Sequence, residues 1–229
     1  MAPNVVILCT STDTLPNKAG PTGAWAEEAI TPYYVFKDAG YRVTFASVNG
    51  GAIPWEPKSL TKDFITPCVE KFLKEENGLV ENTVRLASLD ADDHDAIYLA
   101  GGCVFDFYPN DTLANLVSSM WAKGKGVSGV CHGPAGLLGA REDGKPAGSL
   151  VAGKHVTGFS NSEQKNLTDL WDVLPYSLEN RLKQLGAKYE AGPDMSVFVV
   201  ADGRLITGQN PPSSGETARK LVKVIRREA

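Results

Sequence analysis

The chain has 229 residues and 42% apolar content, enough to bury one substantial core within the size of a single α/β domain. Its net charge of −4, with 23 scattered Lys and Arg, offers no basic face and argues against nucleic acid or an anionic membrane as partner. No apolar run approaches the roughly 20 residues that span a bilayer, and the Met-Ala-Pro-Asn start lacks the charged region of a signal peptide, so the expected location is cytoplasmic.

Short apolar runs alternate with longer amphipathic ones, the pattern of βαβ units around a largely parallel sheet. Val5–Cys9 reads as the first strand. A helix follows over Gly23–Ala39, capped by Thr22, with Pro32 expected to kink or break its middle. Arg42–Ser47 is the second strand. From about Ile53 to Arg85 the alternation fails, with Pro54, Trp55, Pro57 and Pro67 among several charges. This stretch reads as an insertion over one end of the sheet, a cap on a single domain spanning 1–229. Strand Ala96–Ala100, helix Leu113–Lys123, strand Val127–Val130, helix Thr168–Leu185, strand Ser196–Ala201 and helix Gly215–Arg227 complete the chain. The fold class is α/β, with ligands expected at the carboxyl ends of the strands, where the insertion would act as a lid.

Cys9, Cys68, Cys103 and Cys131 show no Cys-x-x-Cys spacing and no nearby histidine cluster, so neither a metal site nor a disulfide framework is expected. Cys131 stands apart. Gly129-x-Cys131-x-Gly133-Pro134 ends an apolar strand with glycines two residues on either side, the cysteine form of a nucleophile elbow. A free cysteine is more often a packing residue, but the flanking glycines and Pro134 favour the elbow. A helix starting near Pro134 would direct its positive end at the thiol and favour thiolate. His132 follows as a proton carrier. Glu27 and Glu28 in the first helix are the candidate acids, although composition alone leaves them as a solvated face. His94 reads as a solvated loop residue, His155 as a polar strand start, and Trp171 and Tyr176 as helix packing. Tyr33, Tyr34 and Trp55 read as core or rim packing.

Four segments together carry a resemblance: Thr22-Gly-Ala-Trp-Ala-Glu27-Glu28-Ala-Ile-Thr-Pro32, Val130-Cys131-His132-Gly133-Pro134, Val156-Thr157-Gly158-Phe159-Ser160-Asn161, and Asp202-Gly203-Arg-Leu-Ile-Thr207-Gly208-Gln209-Asn210-Pro211. In this order, over nearly the whole chain, the sequence resembles the ThiJ/PfpI superfamily. Within it, the resemblance is to the larger-capped branch of glutathione-independent glyoxalases and heat-shock holding chaperones. The resemblance implies a flavodoxin-like, class I glutamine amidotransferase-like sandwich. It implies Cys131 as nucleophile, Glu28 as the acid at the thiol, and His132 as proton carrier, with an oxyanion hole from the Gly102 and His132 backbone. No cofactor is implied. The implied reaction is methylglyoxal plus water to lactate, with a small carbonyl as substrate. Unfolded client proteins are a second implied partner, and a homodimer is a further expectation.

Three departures touch the pocket. Gly101-Gly102-Cys103-Val104-Phe105-Asp106 carries cysteine where the branch has histidine and is shorter, which alters the oxyanion loop and opens redox chemistry at Cys103. The acid that orients the histidine falls at Gln164, with Glu163 adjacent, and either is a candidate third member. Thr31 stands where histidine often precedes Pro32. The competing functions are a holding chaperone or redox sensor using Cys131, and a diverged hydrolase or hydratase.

Overall fold

A computed structural model of the chain describes residues 2–16, 20–145, 148–168, 171 and 173–227. The elements run β1 (Asn4–Cys9), α1 (Ala26–Asp38), β2 (Arg42–Ser47), α2 (Pro67–Glu75), β3 (Val84–Arg85), β4 (Ala96–Leu99), α3 (Asp111–Ala122) and β5 (Gly126–Val130). They continue with β6 (His155–Val156), α4 (Asn161–Leu167), α5 (Leu178–Gln184), β7 (Lys188–Tyr189), β8 (Val199–Asp202), β9 (Leu205–Gly208) and α6 (Ser214–Arg226). Seven strands form one sheet in the order β3-β2-β1-β4-β5-β9-β8, parallel except for β8 against β9. β6 and β7 make a separate parallel pair.

The unbroken apolar runs of the central strands follow from burial on both faces. Val5, Ile7 and Cys9 of β1 pack with α1, α2 and α6, whereas Val6 and Leu8 pack with α3 and α5. β4 splits the same way, Tyr98 to the first layer and Ile97 and Leu99 to the second. Successive side chains of a strand point to opposite faces, so a one-residue slip would exchange the two cores. β1 pairs with β2 on one side and with β4 on the other, so the chain reverses direction across the sheet there. That reversal opens a crevice at the carboxyl ends of the strands, and β5 delivers Cys131 to the same end.

Several sequence expectations change. α1 begins at Ala26 rather than Gly23, because Gly23–Trp25 is extended and its backbone is engaged elsewhere: Ala24 N–H donates to Pro54 O at 2.8 Å and Trp25 N–H to Gly101 O at 3.2 Å. Thr22 is not its cap; its hydroxyl donates to Glu56 Oε2 at 2.6 Å. Pro32 is buried within α1, which continues through it without a break. The 53–85 stretch is ordered, giving α2 against α1 and β3 at the sheet edge. The expected helix Thr168–Leu185 is instead α4 and α5 with a non-helical connection, in which residues 169, 170 and 172 lie outside those described. Ser160 and Ser177 cap the two helices by accepting from Glu163 N–H and Asn180 N–H. The strand expected at Ser196 starts at Val199, and its hairpin partner β9 was not read as a strand.

No α-helix follows the elbow. Gly133–Leu137 is a 3₁₀ turn pressed onto β4, and a Cβ on Gly133 would stand 2.1 Å from Leu99 O. Only glycine lets this turn lie so close to the strand. Gly133→Ala is expected to destabilise by about 3 kcal/mol or more, lowering Tm by roughly 6–12 °C for a chain of this size. Gly78→Ala, at a position with nothing within 4 Å, is expected to stay within about 0.5 kcal/mol. Thermal melts of both variants check this, and equal shifts would contradict it.

Candidate active site

Cys131 has φ +57°, one of three non-glycine residues in the left-handed region among those described. Such a conformation costs on the order of 1–3 kcal/mol and needs the surroundings to enforce it. They do: Cys131 N–H donates to Gly208 O at 3.0 Å, and Phe159 N–H donates to Cys131 O at 2.8 Å. The loop after β4 supplies a third wall. Cys103 N–H donates to Gly23 O at 3.0 Å, so residues 101–103 are strapped to the lead-in of α1. The strap brings Glu28, fully buried on the first turn of α1, to the sulfur, and Gly101 N–H donates to Glu28 Oε2 at 2.8 Å. A Cβ on Gly101 would stand 2.4 Å from that oxygen and 2.9 Å from Cys131 Cβ. Glu27, its neighbour, is only partly buried and takes no part in this contact.

Burial pushes the Glu28 carboxyl well above the usual carboxylate range, against the lowering effect of its hydrogen bonds with Cys131 and Gly101. Its Oε1 is buried and accepts from no donor. An ionised oxygen so placed would lose several kcal/mol of solvation, more than the roughly 1.5–3 kcal/mol that one hydrogen bond to a charged group returns. Burial thus favours the neutral form of Glu28. Burial, the largest influence, also pushes the Cys131 thiol up, and the His132 backbone N–H pulls it down. The α-helix N-terminus expected to favour thiolate is not there, because the segment is a short 3₁₀ turn. The two groups titrate as a pair.

His132 Nδ1 lies 3.4 Å from Cys131 Sγ, and Nε2 lies 2.7 Å from Gln164 Oε1. Gln164 Nε2 donates to Thr168 Oγ1, which fixes the amide orientation and assigns the imidazole proton to Nε2. Nδ1 therefore faces the sulfur as an acceptor. Burial lowers His132 to about 4, outweighing the opposing effects of Gln164 and Glu163. Phe159 packs on the ring, with centroids 4.8 Å apart. Of the two candidates for the third position, Gln164 is the one on His132. Glu163 is the N3 residue of a capping box: Oε2 accepts from Ser160 N–H and Oγ–H, while Oε1 accepts from Met195 N–H and Asn210 Nδ2 at 2.9 and 2.8 Å.

The bond that straps the loop uses Cys103 N–H, and its partner bond uses Trp25 N–H, so neither engages the Gly102 amide. Gly102, Cys103 and His132 line a small cleft with about 30 Å³ of free space, otherwise apolar, from Val104, Phe105, Ala135, Leu174 and Leu178. Burial pushes the Cys103 thiol up to about 11, with Thr22 beside it. Other sequence candidates lie elsewhere. His94 is buried, against expectation, with Nδ1 3.0 Å from Asp90 O. His155 pairs with Glu190, and Tyr33 and Tyr34 donate to Glu76 in a clamp between α1 and α2. Trp171 stacks under Lys165, with Nζ 4.4 Å from its ring centroid. Thr31 lies 3.1 Å from Cys68 Sγ. Among the described residues no group of three or more His, Cys, Asp and Glu is arranged to hold a metal. None of their helices is long and apolar enough to cross a membrane.

A parallel sheet with helices on both faces, carrying a cysteine elbow against a buried carboxyl, defines a cysteine-centred α/β protein. The chain belongs to the DJ-1/PfpI family, whose sequence model matches residues 22–224. It is 30% identical to the glutathione-independent glyoxalase HSP31 of Saccharomyces cerevisiae, over 99% of this chain and 100% of that protein. The crystal structure of glyoxalase III from Candida albicans superposes with a TM-score of 0.86 at 28% identity, covering 97% of each chain. Rapid Encystment Protein 24 kDa of Francisella tularensis superposes with a TM-score of 0.90 at 33% identity, covering 97% of this chain and 99% of that one.

The folded state holds His132 neutral where the unfolded chain would protonate it, so stability conferred this way is present above the ordinary value of 6.5 and lost as pH falls toward about 4. An NMR titration of His132 should give a midpoint near 4. Gln164→Glu places a carboxylate on Nε2 and is expected to raise that midpoint by about one unit or more. No movement would show that Gln164 does not contact the ring in solution.

Proposed function

We propose that the chain is a glutathione-independent glyoxalase that converts methylglyoxal and water to lactate at Cys131. The observation that carries this reading is the placement of Cys131 Sγ between the buried Glu28 carboxyl, which burial pushes toward its neutral form, and Nδ1 of His132, which burial lowers to about 4. In this reading the thiol adds to the aldehyde carbon, and the S–H proton passes through Nδ1 to the carbonyl oxygen, giving a neutral hemithioacetal. His132 then takes the proton from that carbon while Glu28 gives one to the neighbouring ketone oxygen, forming an enediol. The return transfers, from the other hydroxyl to Glu28 and from His132 to the second carbon, yield a lactoyl thioester. Water hydrolyses it to lactate and restores the thiol. The aldehyde carbon is oxidised and the ketone carbon reduced, so the balance needs no external oxidant or reductant. The two protonation states required at the start are those that burial imposes on the two groups.

The His132 and Gly102 amides are the donors suited to the oxygen that develops charge. The small apolar cleft, with no cation on its wall, suits a short uncharged carbonyl. We place residues 53–85 as a cap, since Pro54, Glu56 and Ser59 contact the residues leading into α1. Four free cysteines fit a cytoplasmic location. A holding chaperone would need contiguous exposed apolar surface. The large exposed apolar side chains among the described residues, Leu79, Val84, Leu167 and Val197, lie on a 3₁₀ turn, β3, α4 and the loop before β8.

Steady-state lactate formation from methylglyoxal tests the reading. Cys131→Ser is expected to abolish it, and Glu28→Gln to lower kcat by roughly 10²-fold or more, the range of general acid–base catalysis. Glu27→Gln should change it by less than about twofold, since Glu27 is partly exposed and makes no contact with Cys131. Gln164→Glu should raise turnover by making His132 a stronger base. Wild-type lactate formation that survives in Cys131→Ser would overturn the proposal.

A further inference from the structure

Beside the cleft at His132 lies a second hollow of about 450 Å³, open to solvent and walled by Tyr108, Asn180, Arg181 and Gln184. Pro175 and Tyr176 border both. The inner hollow is narrow and mostly apolar; the outer is wide and polar. The half-buried Tyr176 is thus a wall common to the two hollows.

The Tyr176 ring is held in place. It meets Tyr108 edge to face, with centroids 5.6 Å apart and planes at 88°, a favoured arrangement for aromatic pairs. Tyr108 is fixed in turn by Arg181, whose Nη2 donates to the Tyr108 hydroxyl at 2.7 Å and whose guanidinium lies 5.5 Å from the ring centroid. Arg181 Nη1 donates to Gln184 Oε1 at 3.1 Å, one turn along α5, so the guanidinium is held to its own helix. The inner hollow, with about 30 Å³ of free space beside His132, leaves room for a small substituent only. A carbonyl carrying a phenyl ring or a longer tail needs the space that Tyr176 occupies, and swinging the ring aside means parting it from Tyr108.

We propose that Tyr176 is the specificity-determining residue of the cleft: its ring closes the inner chamber to substituents larger than a methyl group, and the Tyr108–Arg181 pair positions it. The proposal rests on Cys131 being the site of carbonyl addition. Two measurements on the intact chain test it, one of which needs no turnover. The first is the ratio of kcat/KM for phenylglyoxal to that for methylglyoxal. The second is the ratio of Cys131 alkylation rates for N-phenyliodoacetamide and iodoacetamide, read by mass spectrometry of the Cys131 peptide.

Tyr176→Ala is expected to raise both ratios by roughly tenfold or more, the scale on which pocket shape discriminates apolar groups. Tyr176→Phe keeps the ring and should leave both within about twofold, which separates the ring from its hydroxyl. Arg181→Met keeps a stem of similar length and should raise both ratios by an intermediate factor. A rise in the alkylation ratio without methylglyoxal turnover by the wild type would support the barrier while refuting the glyoxalase reading. Turnover of methylglyoxal with both ratios unchanged in Tyr176→Ala would overturn the barrier and leave the glyoxalase reading standing.

Discussion

The hydrogen bond from Gly101 N–H to Glu28 Oε2 is the contact through which the rest of the site is assembled. It ties the first turn of α1 to the loop leaving β4, and it sets the carboxyl against Cys131. The loop contributes only backbone at this point, because a side chain on Gly101 would collide with both the carboxyl and the cysteine. Burial outweighs the hydrogen bonds that would favour the charge, so the carboxyl positioned by this contact is pushed toward its neutral form. In the proposed reaction, a carboxyl raised in this way is the acid that gives and recovers a proton.

His132 is the complement. Burial removes its charge as it removes that of Glu28, and Gln164 accepts the Nε2 proton without adding a negative charge. The adjacent Glu163 is a carboxylate one position away that never reaches the ring. Its oxygens are taken by the start of α4, by Met195 and by Asn210, so it joins α4 to the loops flanking β8 and β9. The site therefore keeps an amide in the orienting position and places its acidic residue in the scaffold.

Much of the fold was legible because both-sided burial writes itself as uninterrupted apolar runs: β1, β2, β4 and β5 fall within a residue of where the sequence places them. The elbow was legible because a left-handed cysteine needs its glycine neighbours. What was not legible depended on tertiary contacts. Thr22 looks like a cap, but Gly23–Trp25 pairs with the 101–103 loop and delays α1. The helical stretch after Thr168 looks continuous, but Ser177 begins a new helix. His94 sits among acidic residues in the sequence yet is buried. Pro134 suggested a helix dipole, whereas the turn it opens is 3₁₀. The depth of the site, which pushes the Cys131 thiol up, is likewise not encoded in local sequence. Tyr176 reads as packing in the sequence; that it borders two hollows depends on contacts that local sequence does not encode.

The central claim is that Glu28 is an un-ionised acid beside Cys131 at neutral pH. The most direct measurement is an infrared difference spectrum between the wild type and Glu28→Gln, with glutamate labelled with ¹³C to assign the band. The account predicts a protonated-carboxyl C=O band at pH 7 that is absent in Glu28→Gln and fades only as pH rises well beyond the ordinary carboxylate range. A spectrum at pH 7 in which the difference contains carboxylate bands alone would contradict it.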